Sequence, residues 1–193
     1  MTKPLLSMPL GLRAADLANA GERARIGVFV RGHPAATPFH LPEWNIAVAR
    51  GCRQRAHCLV AERANGAIAG ILPLTEIGSP LFGRALVSTG FGVGGGILAD
   101  IDDAVPVLAD AGWAMAERLG CPTMELRGGP VPDDGGWTID ETTYLGFVRA
   151  LADSDEAELS AIPRKQRAEV RKGIAAGLSV KTGRGPEDLK AHY

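Results

Sequence analysis

HCLVAERANGAIAGILPL, residues 57–74, is the stretch whose reading decides the fold. Two apolar runs, HCLVAER (57–63) and AIAGILPL (67–74), are joined by Asn65-Gly66, the turn chemistry that a type I′ hairpin demands. A β-hairpin is therefore expected here. Pro73 cannot donate to a ladder, so the second strand is expected to bulge, or to lie at an edge, at that point.

Towards the C-terminus the hairpin is followed by Gly- and Ser-rich connections, a short strand around Ala85 to Ser88, and the glycine segment GFGVGGGILAD (90–100). Asp102 and Asp103 precede a run whose apolar members Val105, Leu108, Met115 and Leu119 keep a helical period. Pro106 falls in the first turn, and Gly120 with Pro122 stops the helix. TMELRGG (123–129) reads as a strand, GPVPDDGG (129–136) as a loop, and YLGFVRAL (144–151) as another strand.

Towards the N-terminus a helix is expected from Gly21 to Arg31. A second fits Leu41 to Arg50, with Pro42 in its first turn and Gly51 closing it. Residues 1–15 read as a lead-in with an edge strand. This alternation of strands and helices, opened by an antiparallel hairpin, predicts an α/β protein of the α+β kind, a mixed sheet covered by helices on both faces.

Composition narrows the function classes. The 193 residues suit one generous domain or one and a half small ones, and 46% hydrophobic residues are enough for a real core. Aromatic residues make up only 5%, so that core is aliphatic. A net charge of −1 gives no global field towards nucleic acid or a membrane, and any anion site must be local. Cys52, Cys58 and Cys121 share no paired spacing, which points to a reducing compartment. Cys52, His57 and Cys58 fit no familiar zinc spacing, and no metal is expected. Pro4, Pro9 and Arg13 interrupt the N-terminal apolar residues, no stretch approaches membrane-spanning length, and a cytoplasmic location is expected.

The local basic cluster lies in DSDEAELSAIPRKQRAEVRKGIAAG (153–177). Ser154 is a reasonable N-cap, acidic residues crowd the first turn, and Pro163 divides or kinks the helix. On a helical wheel Leu159, Val170 and Ile174 fall together and are expected to bury. Arg164, Arg167 and Arg171 share another side, flanked by Lys165 and Lys172. Like charges so spaced repel by a few tenths of a kcal/mol each, and only Glu169 is at hand to pair with them. Guanidinium groups bind phosphate oxygens bidentately, so this face is a candidate phosphate site; a solvated or ion-paired helix face is the alternative.

Other candidates are sparse. Gly94 and Gly95, within the glycine segment, bring side-chain-free backbone that can approach a ligand or nest an anion, though a tight connection fits as well. Glu125 and Arg127 alternate on a strand ending in Gly128-Gly129 and point to one side of the sheet. There Glu125 is a candidate proton acceptor and Arg127 a candidate anion holder, with an internal ion pair as the alternative. Trp44, on the short second helix, is a candidate platform for substrate or a core residue. No GxSxG elbow, HExxH or Asp-rich metal motif occurs.

TPFHLPEW (37–44), LVAERANGAIAGILPL (59–74), SPLFGRALVSTGFGVGGGILAD (79–100) and PRKQRAEVRKGIAAGLSV (163–180) together resemble the FemAB family, aminoacyltransferases built from two acetyltransferase-like (GNAT-like) repeats. FHLPEW with PRKQRAEVRK is most similar to the FemAB-like proteins associated with exosortase/PEP-CTERM and exopolysaccharide systems of Gram-negative bacteria. The resemblance implies acyl transfer, from an aminoacyl-tRNA or another acyl donor, to an amine of a phosphate-bearing small-molecule or lipid-linked cell-envelope precursor. It implies no cofactor and no covalent enzyme nucleophile. GGGIL (94–98) lacks the proline that the family commonly carries there.

On this reading residues 1–177 are a GNAT-like N-terminal domain, and LSVKTGRGPEDLKAHY (178–193), a strand and a helix start, resembles the opening of a second, truncated repeat, so that the chain is expected to be an incomplete N-terminal part of a two-repeat protein. The alternative function is a non-catalytic GNAT-like module that binds a phosphorylated sugar or lipid precursor. An acetyl-CoA-dependent enzyme would need a glycine-rich pyrophosphate loop opening a helix, and ELRGG followed by VPDDGG does not supply one.

Overall fold

The computed structural model describes residues 9–81, 83–132 and 136–192; the expectations for residues 1–8 and for the middle of the 129–136 loop lie outside them. Two compact units divide between Thr138 and Ile139.

The first unit is a mixed sheet with helices on both faces, as the alternation predicts. In chain order its elements are β1 (Gly11–Ala14), α1 (Ala20–Gly32), a 3-10 turn (Pro38–His40), α2 (Pro42–Gly51), β2 (Arg55–Glu62), β3 (Ile68–Ser79), β4 (Gly83–Ser88), β5 (Leu98–Ala99), α3 (Ala104–Leu119) and β6 (Met124–Leu126). Strands run in the order β1-β2-β3-β4-β6, antiparallel except for the parallel pair β4 and β6, and β5 also pairs with β3.

Alternation along the strands supplies both faces. Leu59, Leu72, Leu74 and Leu86 pack with Leu108, Ala109 and Met115 of α3, whereas Val60 and Ile71 pack with Ile26 and Val30 of α1. Asn19 caps α1 by accepting from the N–H groups of Gly21 and Glu22, and Gly120 ends α3 in the left-handed conformation at φ 66°. On β3 the buried Glu76 carboxylate meets Arg84, His57 and Arg55 from the neighbouring strands. Burial opposes its charge, but the hydrogen bonds from Arg84 and His57 and the charges of Arg55 and Arg84 prevail and hold its carboxyl below the usual range.

Two local readings need correction. The hairpin turn is not type I′: only Gly66 has positive φ (81°), Gly66 N–H donates to the Arg63 carbonyl at 2.8 Å, and the register slips between Ala61 and Glu62. That is a three-residue loop closed by a left-handed glycine, and Asn65 Oδ1 accepts from Ala67 N–H instead of taking positive φ itself. Gly51 does not close α2 from outside; it is the last helical residue, Cys52 is the cap, and the left-handed residue is Arg53 at φ 54°.

Pro73 marks the turning point of the sheet. It pairs with Cys58 of β2, yet on the other side of β3 the ladder is interrupted: β5 pairs with Gly70 and Ile71, and β4 with Thr75 to Ser79. The strand is a local edge there, which accommodates a residue without an N–H. β4 and β5 form one interrupted line along β3, and residues 89–97 are the excursion between them.

The second unit holds α4 (Asp155–Ala161), α5 (Arg164–Ala175) and α6 (Pro186–His192). Ser154 Oγ caps α4 by accepting from Ala157 N–H, and Pro163 separates α4 from α5. The strand expected at 144–151 does not form: the segment has no regular secondary structure, with Tyr144 and Phe147 each 90% exposed. Nor is there a strand at 178–180. An apolar run becomes a strand only against a partner, and none pairs with these residues among those described. Val170 and Ile174, expected to bury, are 39% and 70% exposed, and Leu159 is half-buried.

Candidate functional site

Polar residues buried in the first unit converge on the excursion. Of the buried polar or charged residues among those described, Thr89 lies in it, His40, Asn45, Thr75 and Ser88 belong to the elements around it, and Glu76 alone stands in the ion cluster already described. The 3-10 turn is set by local chemistry: Thr37 Oγ1 accepts from Phe39 N–H, Pro38 opens the turn, and Thr37 N–H donates to His40 Nδ1 at 3.0 Å. Accepting at Nδ1 places the proton of neutral His40 on Nε2. Burial, above all, holds the His40 pKa below its usual value.

Side chains from four directions grip the carbonyls of the excursion. Trp44 Nε1 donates to Gly90 O at 3.3 Å and Thr37 Oγ1 to Gly94 O at 2.9 Å. Ser88 Oγ donates to Gly95 O at 2.9 Å and Arg127 Nη1 to Gly92 O at 3.4 Å. Gly90 N–H donates to Thr75 Oγ1, and Thr89 Oγ1 to Phe39 O. The Phe39 ring meets the Trp44 indole edge-on, centroids 4.8 Å apart. Glycine is required by close approach: a Cβ on Gly92 would lie 2.6 Å from the Phe39 ring, and one on Gly95 2.8 Å from Thr89.

With the carbonyls so held, the N–H groups of Gly94 and Gly95 have no hydrogen-bond partner among the described residues. Successive uncommitted backbone donors are the raw material of an anion nest or an oxyanion hole. Glu125 and Arg127 are ion-paired, Nε to Oε1 at 2.6 Å, and Arg127 thereby links β6 to the excursion.

Trp44, Gly94, Gly95, Glu125 and Arg127 are thus brought together, as candidates picked separately from sequence. Thr37, Thr75, Ser88 and Thr89 join them through hydrogen bonds that only the fold creates. Thr37-Pro38 carries a legible capping signal; single buried hydroxyls on strands carry none.

Within the second unit the cations of α5 divide. Arg167 is turned to backbone, donating from Nε and Nη2 to Ile162 O and from Nη2 to Ser160 O, which closes the end of α4. Lys172 pairs with Glu169 at 2.9 Å. Arg164, Lys165 and Arg171 have no partner among the described residues.

The opening of α3 offers no pyrophosphate cradle. Its first two N–H groups are donated to Ile101 O and Asp102 O, the third residue is Pro106, and Asp100, Asp102 and Asp103 precede it. Carboxylates there repel a phosphate that a bare helix start would attract.

No protein-family model and no curated protein matches the chain. Among solved structures it is similar to a ribosomal-protein-alanine N-acetyltransferase from Brucella melitensis biovar Abortus 2308, at 18% identity and TM-score 0.46, over 72% of this chain and 100% of that one. It is also similar to a probable acetyltransferase, at 14% identity and TM-score 0.43, over 75% of this chain and 99% of that one. Among the described residues no helix is long and apolar enough to cross a membrane, and no cluster of His, Cys, Asp or Glu is arranged to hold a metal ion.

Proposed function

We propose that the chain is a FemAB-like acyltransferase with a GNAT-like fold, which moves an aminoacyl or other acyl group onto an amine of a phosphate-bearing cell-envelope or exopolysaccharide precursor. The observation that carries this reading is the excursion whose carbonyls are gripped by Thr37, Trp44, Ser88 and Arg127 while the N–H groups of Gly94 and Gly95 remain uncommitted. Those donors suit the oxygen that turns negative when an amine attacks an ester carbonyl. The amine nitrogen forms the new bond to the carbonyl carbon, the ester C–O bond breaks, and the leaving alkoxide takes up the proton that the amine loses. Glu125 is the group we assign to relay it. Arg127 in the first unit and, separately, the α5 cations Arg164, Lys165, Arg171 and Lys172 in the second are each assigned to phosphate, with Arg167 closing the end of α4.

A second reading, a non-catalytic module that binds the same precursor, draws on the ion pair that already occupies Glu125. One experiment separates the two. The chain is incubated with an aminoacyl-tRNA and a nucleotide-linked amine-bearing precursor, amide product is followed by mass spectrometry, and precursor binding is followed by calorimetry. Product that disappears in Glu125→Gln and Arg127→Ala supports the enzyme. Binding without product supports the module, and neither binding nor product retires both.

A further inference from the structure

Helix α5 has a property that phosphate recognition alone leaves unused. A helix of a folded domain ordinarily buries its apolar stripe. No residue of α5 is buried. Val170 and Ile174 are 39% and 70% exposed, and the chain beyond the helix continues into Leu178 and Val180 at 78% and 93%.

The cations stand apart from these side chains. At about 100° per residue, Arg164, Lys165, Arg171 and Lys172 share an arc of roughly 120°, and Val170 and Ile174 lie outside it. From Arg164 to Arg184 there are seven Lys or Arg residues and one acid, Glu169. A basic stretch that also displays aliphatic side chains is complementary to an anionic lipid surface, where the charges meet headgroup phosphates and the aliphatics reach the acyl boundary.

We propose that α5 and the segment through Val180 dock on the surface of an anionic bilayer. This goes beyond the acyl-transfer reading and does not depend on it. The helix is 12 residues long and lies in the interface plane; it does not span.

Co-sedimentation of the full chain with vesicles tests it. The chain pellets with vesicles of phosphatidylcholine and phosphatidylglycerol, stays in solution with phosphatidylcholine alone, and is released by salt. Arg171→Glu with Lys172→Glu weakens the partitioning at least about tenfold. Ile174→Ser with Leu178→Ser weakens it with the charge unchanged, and circular dichroism confirms that both variants keep their helix content. Failure to pellet with the anionic vesicles overturns the proposal, as does equal pelleting with neutral ones. An unaltered Ile174→Ser, Leu178→Ser variant also overturns it, because simple counter-ion attraction would then explain the binding. Calorimetry with the soluble precursor, without vesicles, reports separately on the acyl-transfer reading.

Discussion

Gly96 and Gly128 cross backbone to backbone: a Cβ built on Gly96 would lie 1.7 Å from the Gly128 carbonyl oxygen. Neither partner is a side chain that can swing away, so the excursion and the exit of β6 touch only because residue 96 has none. Gly96→Ala forces the two segments apart and is expected to destabilise the fold by on the order of 3 kcal/mol or more. Gly173→Ala is the control, since a Cβ there meets nothing within 4 Å and alanine favours an exposed helix interior by up to about 1 kcal/mol. Urea titration of the two variants should show opposite signs; a Gly96→Ala protein as stable as the parent would remove the crossing from the structure.

His40 makes stability depend on pH. Its folded pKa lies below the ordinary 6.5, chiefly through burial, so between the folded value and 6.5 the unfolded chain binds more protons than the folded one. Stability is therefore full above about 6.5 and is lost as pH falls through the window beneath it. His40→Asn retains an acceptor for Thr37 N–H without a titrating group, and its midpoint is expected to change less over the same range. Denaturation midpoints of the two proteins between neutrality and mild acid decide this; parallel curves would assign the acid loss elsewhere.

How much of this was legible follows from how local each signal is. The 57–74 hairpin, the Pro42 and Pro106 helix starts, the Gly120 stop and the Pro163 break are written in neighbouring residues, and each sits where its chemistry places it. Pro73 was legible as a local edge, but not as the point where β4 leaves β3 and β5 replaces it, because that depends on residues 83–87 and 98–99 further along the chain. YLGFVRAL carries β-forming residues without a pairing partner among the described residues, and propensity alone does not make a strand. Among site residues, the glycines and the Glu125–Arg127 pair were visible as pattern. Thr75 was not, since its meaning comes from the hydrogen bond it accepts from Gly90, distant in sequence, and Asn45 was not, since its burial is set by the packing of α2 on the sheet.

Arg167 and Arg171, one helical turn apart, are expected to behave differently. Arg167 makes three hydrogen bonds to the carbonyls of Ser160 and Ile162, whereas Arg171 has no partner among the described residues. Arg167→Ala leaves the end of α4 uncapped and should cost about 1 kcal/mol, seen as lost helicity at moderate temperature. Arg171→Ala should leave helicity unchanged and weaken binding of a phosphate-bearing precursor. Equal helicity in both variants would mean that Arg167 does not hold α4.

Asn45 offers a trade between stability and ligand. It is 1% exposed on the face of α2 that packs against β2 and β3, and neither its Oδ1 nor its Nδ2 has a hydrogen-bond partner among the described residues. A buried amide left so is unfavourable by roughly 1–3 kcal/mol, and leucine has nearly the same volume without the polar atoms. Asn45→Leu is therefore expected to stabilise the protein by about 1–2 kcal/mol in urea titration. An amide retained in such a place at a cost in stability is expected to serve a ligand. The same variant should then lose affinity for the precursor while it gains stability. A variant that is destabilised shows that Asn45 makes bonds within the folded chain; one that is stabilised and binds normally shows that the amide has no part in the site.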